Sequence, residues 1–159
     1  MLAGLFARYQ LAPNLIEIEL TESATMGESS DTIAELSSIR ALGVKLFIDD
    51  FGTGYSSLSQ LQRLKMDALK VDRNFTAELC RTSEGEVFFR AIVSMAHALG
   101  MSVVAEGVET LEELRVLQQL GCDETQGYLV ARPLPAEQIA RLLSQRFLFT
   151  PGSNMASRR

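Results

Sequence analysis

Asp49 and Asp50 stand side by side where the apolar run 44–48 gives way to a loop, Phe51-Gly52-Thr53-Gly54-Tyr55-Ser56-Ser57, that contains two glycines. Carboxylates are hard oxygen ligands suited to Mg²⁺ or Mn²⁺ rather than zinc. Two neighbours diverging at a strand end can serve two cations. Other acids recur at the ends of short apolar segments: Glu19 and Glu22 at the end of 15–20, Asp72 after 68–71, and Glu106 and Glu109 after 103–105. Lys70 lies two residues before Asp72, and Gln126 falls within a weaker segment, 124–129. Hydrolysis of a phosphodiester at two metals needs several carboxylates around cations about 3.5–4 Å apart, and a group that orients the attacking water. A lysine among carboxylates can position or polarise such a water and balance their charge.

Taken singly, most of these residues have plainer readings. The aspartate pair suits a solvated turn, Lys70 and Asp72 suit a structural ion pair, and Glu109 suits a helix N-terminus, where acids are common. Gln126 suits a structural hydrogen bond. Together they outweigh those readings, and the chain offers no Ser–His or Cys–His nucleophile set. His97, the single histidine, falls mid-helix between Ala96 and Ala98, a packing or surface position. Gly52 and Gly54 lack the third glycine of a dinucleotide loop.

The elements that must position these groups follow from hydrophobic spacing. Segment 15–20 alternates, with Ile16, Ile18 and Leu20 on one side and Glu17 and Glu19 on the other. The segments 44–48, 68–71, 103–105 and 124–129 read as four further strands. Between them, helical spacing runs through 31–42, closed by Gly43, through about 56–64, from Thr82–Ser83 to Leu99, and through 111–120, closed by Gly121. A first helix ends before Pro13, and a last one spans 135–147. Ser29–Asp31 suit the cap of the second helix. Alternating strands and helices make a parallel α/β sheet, whose C-terminal strand ends share one rim. The dispersed carboxylates would converge there.

A chain of 159 residues, 47% hydrophobic, holds one core and not two. The organisation expected is a domain over 1–148 and a polar, disordered tail over 149–159. A net charge of −5 argues against a basic nucleic-acid face, so DNA is not an expected partner. Cys80 and Cys122 are far apart and lack metal-ligand spacing, which suits a reducing cytoplasm. No segment approaches the length of a membrane span.

Read in order, Glu19-Leu20-Thr21-Glu22, Asp49 to Leu58, Leu69-Lys70-Val71-Asp72, Ala105-Glu106-Gly107-Val108-Glu109-Thr110 and Gln126-Gly127-Tyr128-Leu129 with Pro133-Leu134-Pro135 closely resemble the EAL-domain family. These are bacterial phosphodiesterases that open cyclic di-GMP. The resemblance covers about residues 2–147. It implies a TIM-like β/α barrel with its site at the C-terminal rim. It implies that Glu19, Asp49 and Glu106 ligate metal, with Asp50 and Asp72 completing the coordination or its hydration shell. Lys70 would hold the nucleophilic water, and Glu22 would anchor the flexible loop 50–57. Glu109 and Gln126 would support the site. The implied reaction is attack of water on one phosphodiester, giving linear pGpG.

A full barrel of this class needs about 250 residues, so the expectation is a partial barrel of about five parallel strands, lacking its N-terminal third. The family's signature glutamate, the arginine soon after it and a metal-binding asparagine have no counterparts from Met1 onward. Five strands cannot close an eight-stranded barrel, so two open edges are expected. A homo-oligomer or strand-exchanged dimer would cover them, and an upstream sensor or GGDEF-type domain is a further expected partner. Two readings of function follow: a phosphodiesterase whose activity in this chain alone is weak or absent, or a non-catalytic module that binds cyclic di-GMP or a protein. A different metal-dependent β/α hydrolase is a third, which the ordered motifs disfavour.

Overall fold

The computed structural model describes residues 2–22, 30–52, 54 and 58–144. Ser29, Thr53, Tyr55, Ser56, Ser57, residues 145–147 and the tail 149–159, which carry parts of the expectations above, lie outside the described residues. The apolar segments form β1 (Glu17–Thr21), β2 (Lys45–Phe51), β3 (Ala68–Val71), β4 (Ser102–Ala105) and β5 (Glu124–Thr125). All pair in parallel, in the order β1-β2-β3-β4-β5. The helices are α1 (Leu2–Tyr9), α2 (Ser30–Arg40), α3 (Leu58–Leu64), α4 (Arg73–Glu78), α5 (Ser83–Ala98), α6 (Leu111–Leu120) and α7 (Ala136–Leu143).

Boundaries shift where local chemistry overrides the apolar pattern. Strand β1 begins at Glu17 because Pro13–Leu15 form a 3₁₀ turn. Strand β2 continues three residues beyond 48, so Asp49 and Asp50 lie within it and not after it. Helix α4 is not signalled by apolar spacing; Asp72 starts it by accepting a hydrogen bond from the Asn74 N–H at 2.9 Å. At α5, the Thr82 side chain caps through the Gly85 N–H. At α6, Thr110 and Glu113 form a reciprocal capping box, worth about 1 kcal/mol.

The period-2 geometry of a strand sends alternate side chains to opposite faces. One set, Leu46 and Ile48, Leu69 and Val71, Val103 and Ala105, is buried in the main core under the helices. Helix α5 contributes Phe89, Ile92, Val93 and Ala96, all buried at helical spacing. Phe89 is fully buried, so its truncation to alanine would cost about 3–5 kcal/mol. The opposite parity carries Glu17 and Glu19, Phe47 and Asp49, Ala68 and Lys70, and Val104. Among the described residues, Phe47, Ala68 and Val104 form a buried apolar patch there. Toward the C-terminal strand ends this face turns charged. Among the described residues, no helix is long and apolar enough to cross a membrane.

Candidate metal centre

In a regular strand Asp49 and Asp50 would point to opposite faces. Strand β2 avoids this with a bulge: Ile48 pairs with Leu69 but Phe51 with Val71, so three steps on β2 oppose two on β3. Asp50 absorbs the extra residue in the left-handed region, φ 54°, which aspartate tolerates better than most side chains. Both carboxylates thereby reach Glu106, just past the end of β4. One oxygen from each of Asp49, Asp50 and Glu106 lies within 4.8 Å of the others. Residues 57 positions apart in sequence thus meet at one rim.

Lys70 occupies the middle of the charged face. Its Nζ is 2.7 Å from Glu19 Oε1, 2.7 Å from Glu106 Oε1 and 3.2 Å from Asp49 Oδ1. The lysine is only 5% exposed. Burial alone would push its ammonium toward the neutral form; the Glu106, Glu19 and Asp49 carboxylates outweigh that and raise it above the ordinary lysine value. Lys70 therefore acts as a hydrogen-bond donor and a charge, not as a base.

Three carboxylates, Glu19, Asp49 and Glu106, contact this one ammonium, a formal surplus of two negative charges, and Asp50 adjoins Asp49 and Glu106. Asp49 Oδ1 is buried yet has no aligned hydrogen-bond partner, the 3.2 Å approach of Lys70 being an ion pair off the hydrogen-bonding angle. Lys70 is shared with Glu19 and Glu106, so the charge of Asp49 is only partly balanced. An all-oxygen set with a charge surplus fits a hard divalent cation.

A sequence model described as the EAL domain matches residues 2–133. The chain belongs to the EAL-domain family. Over 133 residues it is 47% identical to cyclic di-GMP phosphodiesterase NbdA of Pseudomonas aeruginosa, covering 84% of this chain and 17% of that protein. Over 132 residues it is 44% identical to the bifunctional diguanylate cyclase/cyclic di-GMP phosphodiesterase MucR of the same organism, covering 83% and 19%. The chain thus spans less than a fifth of these curated relatives. Its fold is similar to the structure titled PaMucR phosphodiesterase, c-di-GMP complex, with TM-score 0.81 and 42% identity over 86% of this chain and 56% of that one. It is also similar to Klebsiella pneumoniae BlrP1 in a manganese/cyclic di-GMP complex, with TM-score 0.76, 38% identity, and coverage of 83% and 34%. The five parallel strands with flanking helices are thus part of an EAL-type, TIM-like architecture.

The other EAL motif residues are placed as follows. Glu22 is 3% exposed, and its Oε2 accepts from the Gly52 and Gly54 N–H groups at 3.0 and 2.9 Å. Glu19 joins the cluster through Lys70 and is not in the Asp49–Asp50–Glu106 group, nor is Asp72, whose carboxylate caps α4. Gln126 sits just beyond β5, its backbone bonded to Ala105 and Val108. Gln126 borders two clefts, one lined by Glu19 and Lys70, the other by Glu106 and Glu109. Glu109 is exposed on the second cleft. Phe51 packs on the main core.

Sequence reasoning passed over several neighbours. Asn74 and Arg73 open α4 on the second cleft, beside Tyr128, and the Arg132 guanidinium stacks 4.3 Å over the Tyr128 ring. Residues 128–132 form no helix, so their four-residue offset carries no signal for that stack. Asp67 and Asp123 each sit one residue before a strand, a position whose meaning depends on tertiary placement.

Proposed function

We propose that this chain carries the metal-dependent phosphodiesterase site of its family, opening cyclic di-GMP to linear pGpG with Mg²⁺ or Mn²⁺ at a two-metal centre. The observation that carries this is the convergence of Asp49, Asp50 and Glu106 beside a buried Lys70 that contacts two of them. The family match and the printed activities of NbdA and MucR supply the substrate class.

Asp49, Asp50 and Glu106 would hold the cations, with Glu19 and Asp72 as further ligands or partners of the hydration shell. Divalent cations there supply Lewis acidity and neutralise phosphate charge. Lys70, protonated and held by the Glu19 and Glu106 carboxylates, would use its remaining N–H to orient the attacking water. That water opens one P–O ester bond of the ring, leaving a terminal phosphate, and the freed ribose oxygen takes up a proton. Glu22 anchors the loop 50–57 by holding the Gly52 and Gly54 amides. Glu109 and Gln126 line the cleft where the remainder of the nucleotide lies.

Among the described residues, strands β1 and β5 pair on one side only, which supports self-association through an open edge, as a homo-oligomer or strand-exchanged dimer. A sensor or GGDEF-type domain upstream is a further partner of this reading. Two free thiols, Cys80 and Cys122, suit a cytoplasmic setting. The deciding experiment incubates the 159-residue chain with cyclic di-GMP and Mn²⁺ or Mg²⁺ and follows pGpG by chromatography. Metal-dependent turnover, even if slow, that is lost in Glu106→Gln supports the site. Nucleotide binding without turnover or metal uptake would favour a receptor instead.

A further inference from the structure

The bulge that brings Asp49 and Asp50 together needs a restraint, because it places a non-glycine residue in the left-handed region and interrupts the β2–β3 ladder. One restraint is the Glu22 carboxylate, which accepts the Gly52 and Gly54 N–H groups. A second lies on the other side of the same turn. Gly52 has φ 101°, and a Cβ there would sit 2.7 Å from Cζ of Phe75. The Phe75 ring therefore occupies the space a side chain at 52 would need. Phe75 comes from α4, which begins at Asp72 directly after β3. Its outer side is covered by Phe88 of α5, the rings stacked with centroids 5.0 Å apart and planes 17° apart. Phe88 is itself 47% exposed, so this pair is not explained by core burial alone.

We propose that Phe75, backed by Phe88, is a positioning residue for the metal centre: the ring pair wedges the Gly52 turn so that the bulged end of β2 presents Asp49 and Asp50 to Glu106. This rests on reading that cluster as a cation site. The wedge acts through the backbone and touches none of the carboxylates. Glu22 and Phe75 grip the turn from two sides, one by charge-assisted hydrogen bonds and one by contact. Loosening either side frees Asp50 to leave its left-handed conformation.

The test uses the full chain, with Mn²⁺ binding followed by calorimetry and amide exchange at Gly52 and Gly54 followed by NMR without metal. Phe75→Leu, which stays apolar but loses the ring, is expected to weaken Mn²⁺ binding about tenfold or more, the range for loss of an outer-shell support. It should also accelerate Gly52 exchange at least about tenfold, as local opening becomes easier. Phe88→Leu should show a smaller loss of the same kind, and Phe88→Tyr, which keeps the stack, should restore both readouts. Val93→Ala, on the buried side of α5, controls for general destabilisation. Wild-type Mn²⁺ affinity and Gly52 exchange in Phe75→Leu would overturn the wedge. Equal losses in Val93→Ala would overturn it too. If the wild-type chain takes up no Mn²⁺, the cation-site reading fails and the metal part of the proposal with it. Exchange at Gly52 and Gly54 then still decides whether the ring pair restrains the turn.

Discussion

Replacing Lys70 by methionine keeps the length and apolar stem of the side chain but removes the ammonium that touches Glu19, Asp49 and Glu106. Breaking a buried ion pair by deleting one partner costs about 3–5 kcal/mol, because the other charge stays behind. Here the remaining carboxylates are not all buried: their side chains are 43%, 23% and 19% exposed for Glu19, Asp49 and Glu106. Water would relieve part of the repulsion, so about 2–3 kcal/mol is expected. In a domain of this size that corresponds to a fall in Tm of about 5–10 °C without divalent ions. The variant is one charge more negative at the cluster, so Mn²⁺ should bind it at least as well as wild type and raise its Tm by more. Turnover should be lost despite retained metal, since no donor then orients the water. Melts with and without Mn²⁺, alongside pGpG formation, check all three. Equal Tm values for the two proteins, or an equal rise with Mn²⁺, would refute the idea that Lys70 stands in for cationic charge.

Three other outcomes follow from particular contacts. Asp49→Asn removes a carboxylate of the proposed cation site, so Mn²⁺ affinity by calorimetry should fall about tenfold or more, while stability without metal holds or rises as the charge surplus shrinks. Gly127→Ala places a Cβ against the Val108 backbone that bonds to Gln126 and Leu129; urea unfolding should show a loss of more than about 3 kcal/mol. The Asp123 carboxyl would be raised by its partial burial, but hydrogen bonds from His97 and the Val103 N–H hold it below its ordinary value. A carboxyl lowered in the folded state stabilises above its unfolded value and loses that contribution as acid protonates it. Asp123→Asn should therefore cost less than about 1 kcal/mol at pH 7, since the carboxyl is 39% exposed, and the difference from wild type should shrink in acid titrations of Tm as the carboxyl protonates.

Much of the fold was legible because buried parallel strands read as apolar runs. Ala68–Val71 and Leu111–Leu120 match their expected bounds, and Thr82 caps α5 where expected. What stayed hidden depends on contacts between distant segments. The continuation of β2 through Asp49 and Asp50 cannot be read from hydropathy, since two charged residues normally end a strand. The bulge needs the β3 register, and the Phe75–Gly52 contact needs α4, a six-residue helix too short for a periodic signal. The acidic inventory of the site was visible, but not its division. Asp49, Asp50 and Glu106 converge, Glu19 is joined to them through Lys70, and Asp72 is engaged by a helix cap.

That division follows strand direction. Asp67 and Asp123 each precede a strand, and each accepts the N–H of the second residue of the neighbouring strand, Leu46 at 3.0 Å and Val103 at 2.8 Å. At this end of the sheet, strand N–H groups point out unpaired, and a carboxylate satisfies them while tying one β/α unit to the next. The opposite rim presents strand carbonyls, which repel carboxylates. Acids gathered there cannot be satisfied by the strand ends, so they need a helix N-terminus, a loop amide or a cation. Asp72 takes the first route, through Asn74, and Glu22 the second, through Gly52 and Gly54. Glu19, Asp49 and Glu106 have Lys70, one charge shared among three. On the proposed reading, that shortfall would make this rim, and not the Asp67–Asp123 end, the place where a divalent cation gains most by binding.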